Sequence, residues 1–298
     1  MQHPIEPSVL VVGGTGTIGS EVVRRLVARE TDVRALTRTP SKAGWMEDLG
    51  VEVVEGDLGD PASLDAALTS VEEAFLLSDA SRDLVELQSN FVEAAERADL
   101  GHLVKLSAAG ADPDATIPID RWHGEVEERI EESGLEYTHL RPVYLMQNLL
   151  RFAESIGRDG AFFQATPGER SLSMVDARDV ASVAATVLAE DGHDGEAYLL
   201  TGPETLTFTR VAAILSEAIG TDVAYEALPP GTVRERIVGL GQPAWLADVL
   251  VALQVAYGEG AGSAVTDTVE SVTGSPPRSF EAFARDHAAR FRAHRIDA

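Results

Sequence analysis

The stretch Val9-Leu10-Val11-Val12-Gly13-Gly14-Thr15-Gly16-Thr17-Ile18-Gly19 is an apolar run that ends in glycines at positions 13, 16 and 19. A helical pattern follows in residues 20–27. A strand, a glycine turn and a helix N-terminus in this order predict a site for the pyrophosphate of a dinucleotide. Gly13 would allow the sharp turn, Gly16 would let the backbone approach the phosphates, and Gly19 would let the helix pack closely on the strand.

The first half of the chain alternates between strand and helix patterns. Strands are predicted at 8–12, 32–36, 51–54, 72–77 and 102–107, and helices at 18–29, 61–69, 83–99 and 120–133. Asp60-Pro61 is typical of a helix start, and Ser133-Gly134 is typical of a helix stop. This alternation predicts an α/β fold of the Rossmann type, with a doubly wound parallel sheet.

The pattern changes after Arg141-Pro142. Strands are predicted at 172–175 and 197–200, and helices at 180–188, 210–219, 231–239, 243–257 and 279–291. We therefore predict an NAD(P)-binding domain at 1–150 and a smaller, mostly helical C-terminal substrate domain at 151–298. The two should interleave, because about 172–200 is expected to return to the main sheet.

Composition narrows the class of protein. The chain has 298 residues, 44% of them apolar, with no cysteine and a net charge of −25. No signal-like segment or membrane-length apolar run is present, which predicts a cytoplasmic protein. The acidity argues against nucleic-acid and anionic-membrane partners, since phosphate contacts need positive charge. It fits either adaptation to high salt or a GC-rich genome, and both interpretations stay open.

The residues after the second strand bear on which dinucleotide would bind. A carboxylate there would select NAD(H), but Thr37, Arg38 and Lys42 occupy the region and no acid lies between Val33 and Met46. These residues predict NADP(H), with NAD(H) as the alternative. The remaining predicted cofactor contacts are the glycine loop and two strand ends: Gly13, Gly14, Thr15, Gly16, Thr17, Ile18, Gly19, Asp57, Leu58, Leu77 and Ser78. Asp57 would either contact adenine or act only as a turn residue.

Eight motifs together resemble the NmrA-like branch of the atypical short-chain dehydrogenases/reductases, which includes NAD(P)H-dependent quinone and azo-compound reductases. The motifs are GGTGxxG (13–19), RALTR (34–38), GDL (56–58), VKLSAAG (104–110), HGEVE (123–127), SGLEYTHLRP (133–142), VDARDVA (175–181) and VTGSPPRSF (272–280). The resemblance covers most of the chain.

The chain departs from the larger superfamily at the usual catalytic pair, Tyr-x-x-x-Lys. His123 and Glu127 occupy those positions, on one face of the predicted helix. The resemblance implies that both lie near the nicotinamide, where an imidazole can act as an acid or base. The alternative is a surface histidine that interacts only with Glu127.

Four further residues complete the candidate site. Lys105 is a second candidate for proton transfer or a cofactor contact, although it would otherwise pair with a carboxylate or emerge at a sheet edge. Ser107 is expected to contact the cofactor. Tyr144 and Asn148 are expected to face the substrate, with core packing as the alternative for Tyr144.

These observations lead to one main functional hypothesis and two alternatives. The main hypothesis is an NADPH-dependent oxidoreductase that transfers hydride to a quinone or another activated small acceptor. The first alternative is a non-catalytic NADP(H)-binding redox sensor, which would need a partner protein. The second is a nucleotide-sugar enzyme of the extended short-chain group, against which the missing Tyr/Lys pair counts. No metal is expected, because the histidines form no ligand spacing, and a homodimer remains open.

Overall fold

The computed structural model describes residues 9–293, so Ser8 of the first predicted strand and segment 1–7 lie outside the described residues. The chain forms two compact units. Unit 1 comprises the chain up to Pro142, Ala177–Leu199 and Val272–Gly274. Unit 2 comprises Val143–Asp176, Leu200–Ser271 and the chain from Ser275 onward.

The strands share three sheets. They are β1 (Val9–Val12), β2 (Val33–Thr37), β3 (Glu52–Glu55), β4 (Glu73–Leu76), β5 (His102–Leu106), β6 (Glu136–Pro142), β7 (Tyr144–Leu145), β8 (Ala161–Gln164), β9 (Ser171–Val175), β10 (Glu196–Leu200), β11 (Thr205–Thr207) and β12 (Ala224–Ala227). The main sheet has seven strands in the order β10-β6-β5-β4-β1-β2-β3, and the smaller sheets have the orders β11-β9-β7 and β12-β8.

Helices alternate with the strands of the main sheet and dominate the later part of the chain. They are α1 (Thr17–Ala28), α2 (Gly44–Glu47), α3 (Pro61–Ala67), α4 (Leu84–Arg97), α5 (Pro118–Glu131), α6 (Ala153–Asp159), α7 (Ala177–Val187), α8 (Phe208–Ile219), α9 (Pro230–Gly239), α10 (Ala244–Glu259), α11 (Thr268–Thr273) and α12 (Phe280–Arg292). None of these helices is long and apolar enough to cross a membrane.

The main sheet confirms the predicted Rossmann-type fold. The strands from β3 to β6 pair in parallel through β2, β1, β4 and β5. In the order β3-β2-β1-β4-β5-β6, successive strands are added on one side of β1 up to β3 and on its other side from β4 onward. Right-handed crossovers therefore place α1 and α4 on opposite faces of the sheet. Ligands of such sheets bind beyond the carboxyl ends of the strands at this reversal of the strand order, between β1 and β4.

Local sequence explains where the helices begin and end. The Asp60 side chain accepts a hydrogen bond from the Ala62 amide at 3.2 Å, and Pro61 occupies the first helical position of α3. Thr207 caps α8 by accepting from the Arg210 amide. Gly220 ends α8 in the left-handed conformation, and Gly134 has a positive φ shortly after α5. The boundaries therefore follow from capping chemistry.

Unit 2 is held together by aromatic side chains between its helices and small sheets. Phe208 stacks on Tyr225 with ring centroids 5.1 Å apart, and Phe162 contacts both rings. The predicted strand at 172–175 forms β9, which pairs with β7 and β11, while β10 joins the main sheet. Strands β7, β8, β11 and β12 were not expected from the sequence, because two to four residues carry too little alternation to identify a strand.

Arg34 tests how far buried polar contacts stabilise the main sheet. Its guanidinium group donates to Glu52 at 2.9 Å and to the carbonyl oxygens of Ala67 and Thr69 at 2.7 and 2.8 Å. We expect Arg34→Met to lower the free energy of unfolding by about 2–3 kcal/mol, since these carbonyls lose a charged donor. Arg38→Met is the matched control on an exposed arginine and should change stability by less than about 0.5 kcal/mol. Urea unfolding followed by circular dichroism measures both, and equal losses would contradict the assignment.

Candidate active site

The glycine loop connects β1 to α1 through contacts that only glycine permits. Gly13 has a φ of 77° and its carbonyl oxygen accepts a hydrogen bond from the Gly16 amide at 2.9 Å. A Cβ at Gly19 would lie 2.2 Å from that same oxygen. A Cβ at Gly13 would lie 2.7 Å from the Leu77 carbonyl oxygen. The loop is therefore fixed on two sides by backbone atoms that cannot give way.

The N-terminus of α1 is built to receive an anion. Gly16 is the N-cap residue, no side chain caps the helix, and no acidic residue lies in its first turn. Thr15, Gly16 and Thr17 are exposed, whereas Ile18 and Gly19 are buried. The first amide groups of a helix have no partner within the helix, and its N-terminus carries partial positive charge. The cradle therefore fits the pyrophosphate of a dinucleotide.

The end of β2 carries the predicted discriminating residues. Thr37 is buried, and its hydroxyl accepts a hydrogen bond from the Thr39 amide at 3.1 Å. Arg38 is free to extend, with 72% of its side chain exposed and its Nε atom 4.0 Å from Asp57 Oδ2. Lys42 is also exposed. An exposed guanidinium group at this position suits a phosphate better than a hydroxyl pair.

The other predicted cofactor contacts lie at the ends of β3 and β4. Asp57 accepts a hydrogen bond from the Gly59 amide at 2.8 Å, so it acts as a turn residue whatever else it binds. The Leu58 carbonyl oxygen accepts from Asn90, and the Ser78 hydroxyl accepts from Gln88. Leu77 lies against Gly13. A cofactor role for these residues stays a prediction.

A buried polar cluster lies between β5, β6 and α5. Lys105 is paired in register with His139, and each strand places a second polar residue two positions further along, Ser107 and Arg141. Alternate residues of a strand share one face, so the four side chains line the same side of the sheet. From α5, His123 and Glu127 complete the cluster: they contact Lys105 and Arg141 respectively.

Lys105 and His123 form a close pair. Lys105 is fully buried, and its Nζ atom lies 2.9 Å from Nδ1 of His123. Burial lowers the pKa of Lys105 from 10.5 to about 7, although the charge of Glu127 acts in the opposite direction. Burial and the charge of Lys105 hold the pKa of His123 well below 6.5. His123 is therefore a neutral imidazole at neutral pH, and Lys105 is divided between its two protonation states.

Glu127 is engaged by Arg141 rather than by His123. Its two carboxylate oxygens accept hydrogen bonds from Arg141 Nε at 3.1 Å and from a terminal guanidinium nitrogen at 2.5 Å. Burial alone would raise the pKa of Glu127, but hydrogen bonding to Arg141 and nearby positive charge outweigh it, and the pKa is lowered. An ionised carboxylate in a two-point ion pair cannot donate a proton, so this geometry favours a charge-balancing role for Glu127.

Three members of the site carried no clear signal in the sequence. His139 and Arg141 stand in the sequence only as parts of the motif SGLEYTHLRP, and Asp120 belongs to none of the motifs. Burial lowers the pKa of His139 to about 4 and raises that of Asp120 to about 6. Asp120 lies on α5 beneath the loop after β5, and a Cβ at Gly110 would lie 2.5 Å from its carboxylate. Polar residues at alternate positions of otherwise apolar strands would have been the signal for His139 and Arg141.

The two predicted substrate residues belong to unit 2. Tyr144 is buried, its hydroxyl accepts a hydrogen bond from Gln164 at 2.9 Å, and its ring contacts Phe208 and Tyr257. Burial raises the pKa of Tyr144 to about 12, so it is no acid near neutral pH. Asn148 is half-buried in the 3-10 segment Met146–Phe152. Substrate contact by either residue stays a prediction, and the core contacts of Tyr144 match the alternative.

Metal ligands do not assemble in the part of the chain that the structure describes. Across residues 9–293, no group of three or more histidine, aspartate or glutamate side chains is arranged to hold a metal ion.

Comparison with known proteins identifies the class. The NmrA-like family matches residues 6–283, and the chain belongs to this family. It is similar to an NAD(P)H azoreductase from Xenophilus azovorans, with 41% identity over 96% of this chain and 99% of the relative.

Two solved structures share the fold along nearly the whole chain. An NADPH-dependent quinone oxidoreductase from Escherichia coli, in complex with NADPH, has a TM-score of 0.86 and 28% identity, covering 93% of this chain and 99% of its own. A triphenylmethane reductase from Citrobacter, in complex with NADP(H), has a TM-score of 0.82 and 28% identity, covering 94% and 100%. The resemblance found in the sequence motifs is thereby confirmed.

The Gly13–Gly19 contact predicts a sharp effect on dinucleotide affinity. Gly19→Ala would force a Cβ against the Gly13 carbonyl, so we expect NADPH affinity to fall at least about tenfold as the loop shifts, an effect of about 1.4 kcal/mol. Gly231→Ala is the control, because a Cβ at that helical position of α9 meets nothing within 4 Å. Isothermal titration with NADPH measures both variants. Equal affinities for the two would show that the close contact is not needed.

Proposed function

We propose that this chain is an NADPH-dependent reductase of quinones or azo compounds. The proposal is supported by the nucleotide cradle of unit 1, the exposed basic end of β2 and the family membership. The relatives named above, an azoreductase, a quinone oxidoreductase and a triphenylmethane reductase, all reduce conjugated acceptors by their names. These acceptors have in common that a hydride can add to them without prior activation by an acid.

The residues of unit 1 give each part of NADPH a place. The amides at the start of α1 would bind the pyrophosphate, and Arg38 with Lys42 would bind the 2′-phosphate. Ser78 and Ser107, at the ends of β4 and β5, would border the ribose and nicotinamide, because ligands lie beyond the carboxyl ends of these strands. When bound, the nicotinamide supplies a hydride to the acceptor.

The single observation that carries the choice of reaction is the character of α5. A ketone reductase of this superfamily needs a tyrosine acidified by a lysine four residues later, and here the first position is a neutral imidazole and the second an ion-paired carboxylate. A site without that acid suits acceptors that are already electrophilic. The protein then supplies orientation and exclusion of water without the acidified tyrosine of a ketone reductase.

Purified protein tests this function directly. We expect NADPH oxidation to follow addition of simple quinones and of an azo dye, measured as loss of NADPH absorbance and, for the dye, loss of colour. Tight NADPH binding without turnover across a broad panel of both acceptor classes would refute the reductase and favour the sensor alternative.

Cofactor preference gives a second test. We expect Arg38→Ala to weaken NADPH binding about 10- to 100-fold, since a charge-assisted hydrogen bond is worth about 1.5–3 kcal/mol. NADH binding should change less than about twofold, because NADH has no 2′-phosphate. Arg97→Ala removes a half-exposed arginine of α4 that is paired with Asp65, and it controls for net charge. Parallel losses for the two dinucleotides would count against the 2′-phosphate assignment.

A further inference from the structure

Lys105 is a buried lysine that has no carboxylate in hydrogen-bond contact. Its Nζ atom contacts Nδ1 of His123 at 2.9 Å and the Leu106 carbonyl oxygen at 3.5 Å. The carboxylate of Glu127 is taken by Arg141. An ammonium group in such surroundings destabilises a fold, and a residue of this kind in a candidate site is a sign of function.

The proposed reaction leaves one chemical requirement unassigned. A hydride adds to a quinone or an azo bond with its electron pair, and the product anion then needs one proton on oxygen or nitrogen. Glu127 is ionised in its ion pair and Tyr144 keeps its proton far above neutral pH, so neither can supply it. His123 is neutral and can pass on a proton only if a second group replenishes it.

The Lys105–His123 pair has the geometry for such a transfer. Nδ1 of the His123 imidazole faces Lys105. The other ring nitrogen, Nε2, has no hydrogen-bond partner among the described residues. When Lys105 is charged it donates to Nδ1, which fixes the proton of the neutral ring on Nε2. His123 is partly exposed, whereas Lys105 is fully buried.

We propose that Lys105 stores the proton that the reduction consumes and delivers it to the acceptor through His123. In this step the Nε2–H bond of His123 breaks as the proton joins the product anion, and Nδ1 takes a proton from the Lys105 ammonium group. Lys105 is left as a neutral amine. After product release, Nε2 regains a proton from solvent and Nδ1 returns its proton to Lys105. The inference rests on the reductase function proposed above.

The groups around Lys105 explain why its proton can move. From α5, His123 and Glu127 face it, and from β6 it is next to His139 and Arg141. Its register partner on β4 is the apolar Leu76. Arg141 offsets much of the charge of Glu127, and His139 is neutral, because burial lowers its pKa to about 4. Lys105 therefore loses its proton more readily than an exposed lysine does.

The composition of the chain makes a direct test simple. Lys42 and Lys105 are its only lysines, so protein labelled with 15N on lysine Nζ and 13C on the adjacent carbon gives two sets of signals. Lys42→Arg assigns them. We expect one set to titrate near pH 7 in the NADPH-free protein and to be absent in Lys105→Met. A Lys105 signal that stays protonated through pH 9 would overturn the proposal without any activity measurement.

Stability provides a check that the variant is folded. Because the pKa of Lys105 is lowered on folding, the unfolded chain binds its proton more tightly between pH 7 and pH 10.5. The cost of burying Lys105 is thus full below about pH 7 and declines as the pH rises toward 10.5. Lys105→Met should raise the urea midpoint at pH 6 and have a smaller effect at pH 9. A variant that unfolds more readily at pH 6 would mean that Lys105 is structural.

Two acceptors separate proton delivery from general damage to the site. A quinone needs a hydride and a proton, whereas a cationic triphenylmethane dye needs only the hydride. We expect Lys105→Met to lower kcat for the quinone about 10- to 100-fold at pH 6.5, within the usual range for general acid catalysis. kcat for the dye should fall less than kcat for the quinone, because the dye needs no proton. Equal losses with both acceptors, or a loss confined to NADPH binding, would overturn the proposal.

The pH dependence of kcat with the quinone tests the role of Lys105 even if the wild-type protein does not reduce the dye. Wild-type kcat with the quinone should fall as the pH rises through about 7, because neutral Lys105 has no proton to give. The profile of Lys105→Met should be flat there, and an unchanged slope would refute the role. A wild type that reduces no acceptor removes the reductase function itself, while the lysine titration still reports on the pair.

Discussion

The backbone contact between Gly13 and Gly19 is the constraint on which the geometry of unit 1 depends. The first turn of α1 lies so close to the Gly13 carbonyl oxygen that any side chain would collide with it. This contact sets where α1 begins, and hence where its unpaired amides point. Leu77 closes the other side of the same turn, so the ends of β1 and β4 are fixed together at the reversal of the sheet. The turn that these close contacts confine is thus the point at which the ligand would bind.

A second constraint is electrostatic and acts between β5, β6 and α5. The cluster between the sheet and the helix contains two basic groups, one carboxylate and two neutral imidazoles: Lys105, Arg141, Glu127, His123 and His139. Glu127 and Arg141 neutralise each other in an ion pair, which leaves Lys105 without a fixed counterion. Removing either member of the ion pair would therefore change the protonation of Lys105 as well as the stability of α5. Glu127 therefore influences the protonation of Lys105 in addition to stabilising α5.

Much of this architecture could be predicted from the sequence, and the physical reason differs from element to element. The strands β1 and β5 are buried along their whole length, so their apolar runs identified them. Helix α3 was predicted because Asp60-Pro61 is a local capping signal, and the structure shows Asp60 capping it. The strand at 172–175 was found, but its partners were not, because pairing is set by distant residues.

The candidate site was less accessible to sequence reasoning. The glycine loop is local in sequence, so its geometry could be predicted from spacing. The cluster around Lys105 combines residues of β5, β6 and α5. The register of β5 against β6 places Lys105 beside His139, and no local sequence pattern indicates that register. Arg34 shows the same limit: the motif RALTR does not reveal that the alternation of β2 buries this residue against the end of α3.

The exposed position of Arg38 and Lys42 has a consequence for how this protein could evolve. Gly13 and Gly19 of the glycine loop are confined by backbone collisions, so a side chain at either position would displace the loop. Arg38 and Lys42, at the end of β2, are exposed, so substituting them should change the free energy of unfolding little. Under the proposed cofactor contacts, affinity for dinucleotides and the choice between them would be under separate selection. A lineage with a different supply of NADH and NADPH could then change its cofactor preference through substitutions at these exposed positions, without disturbing the fold.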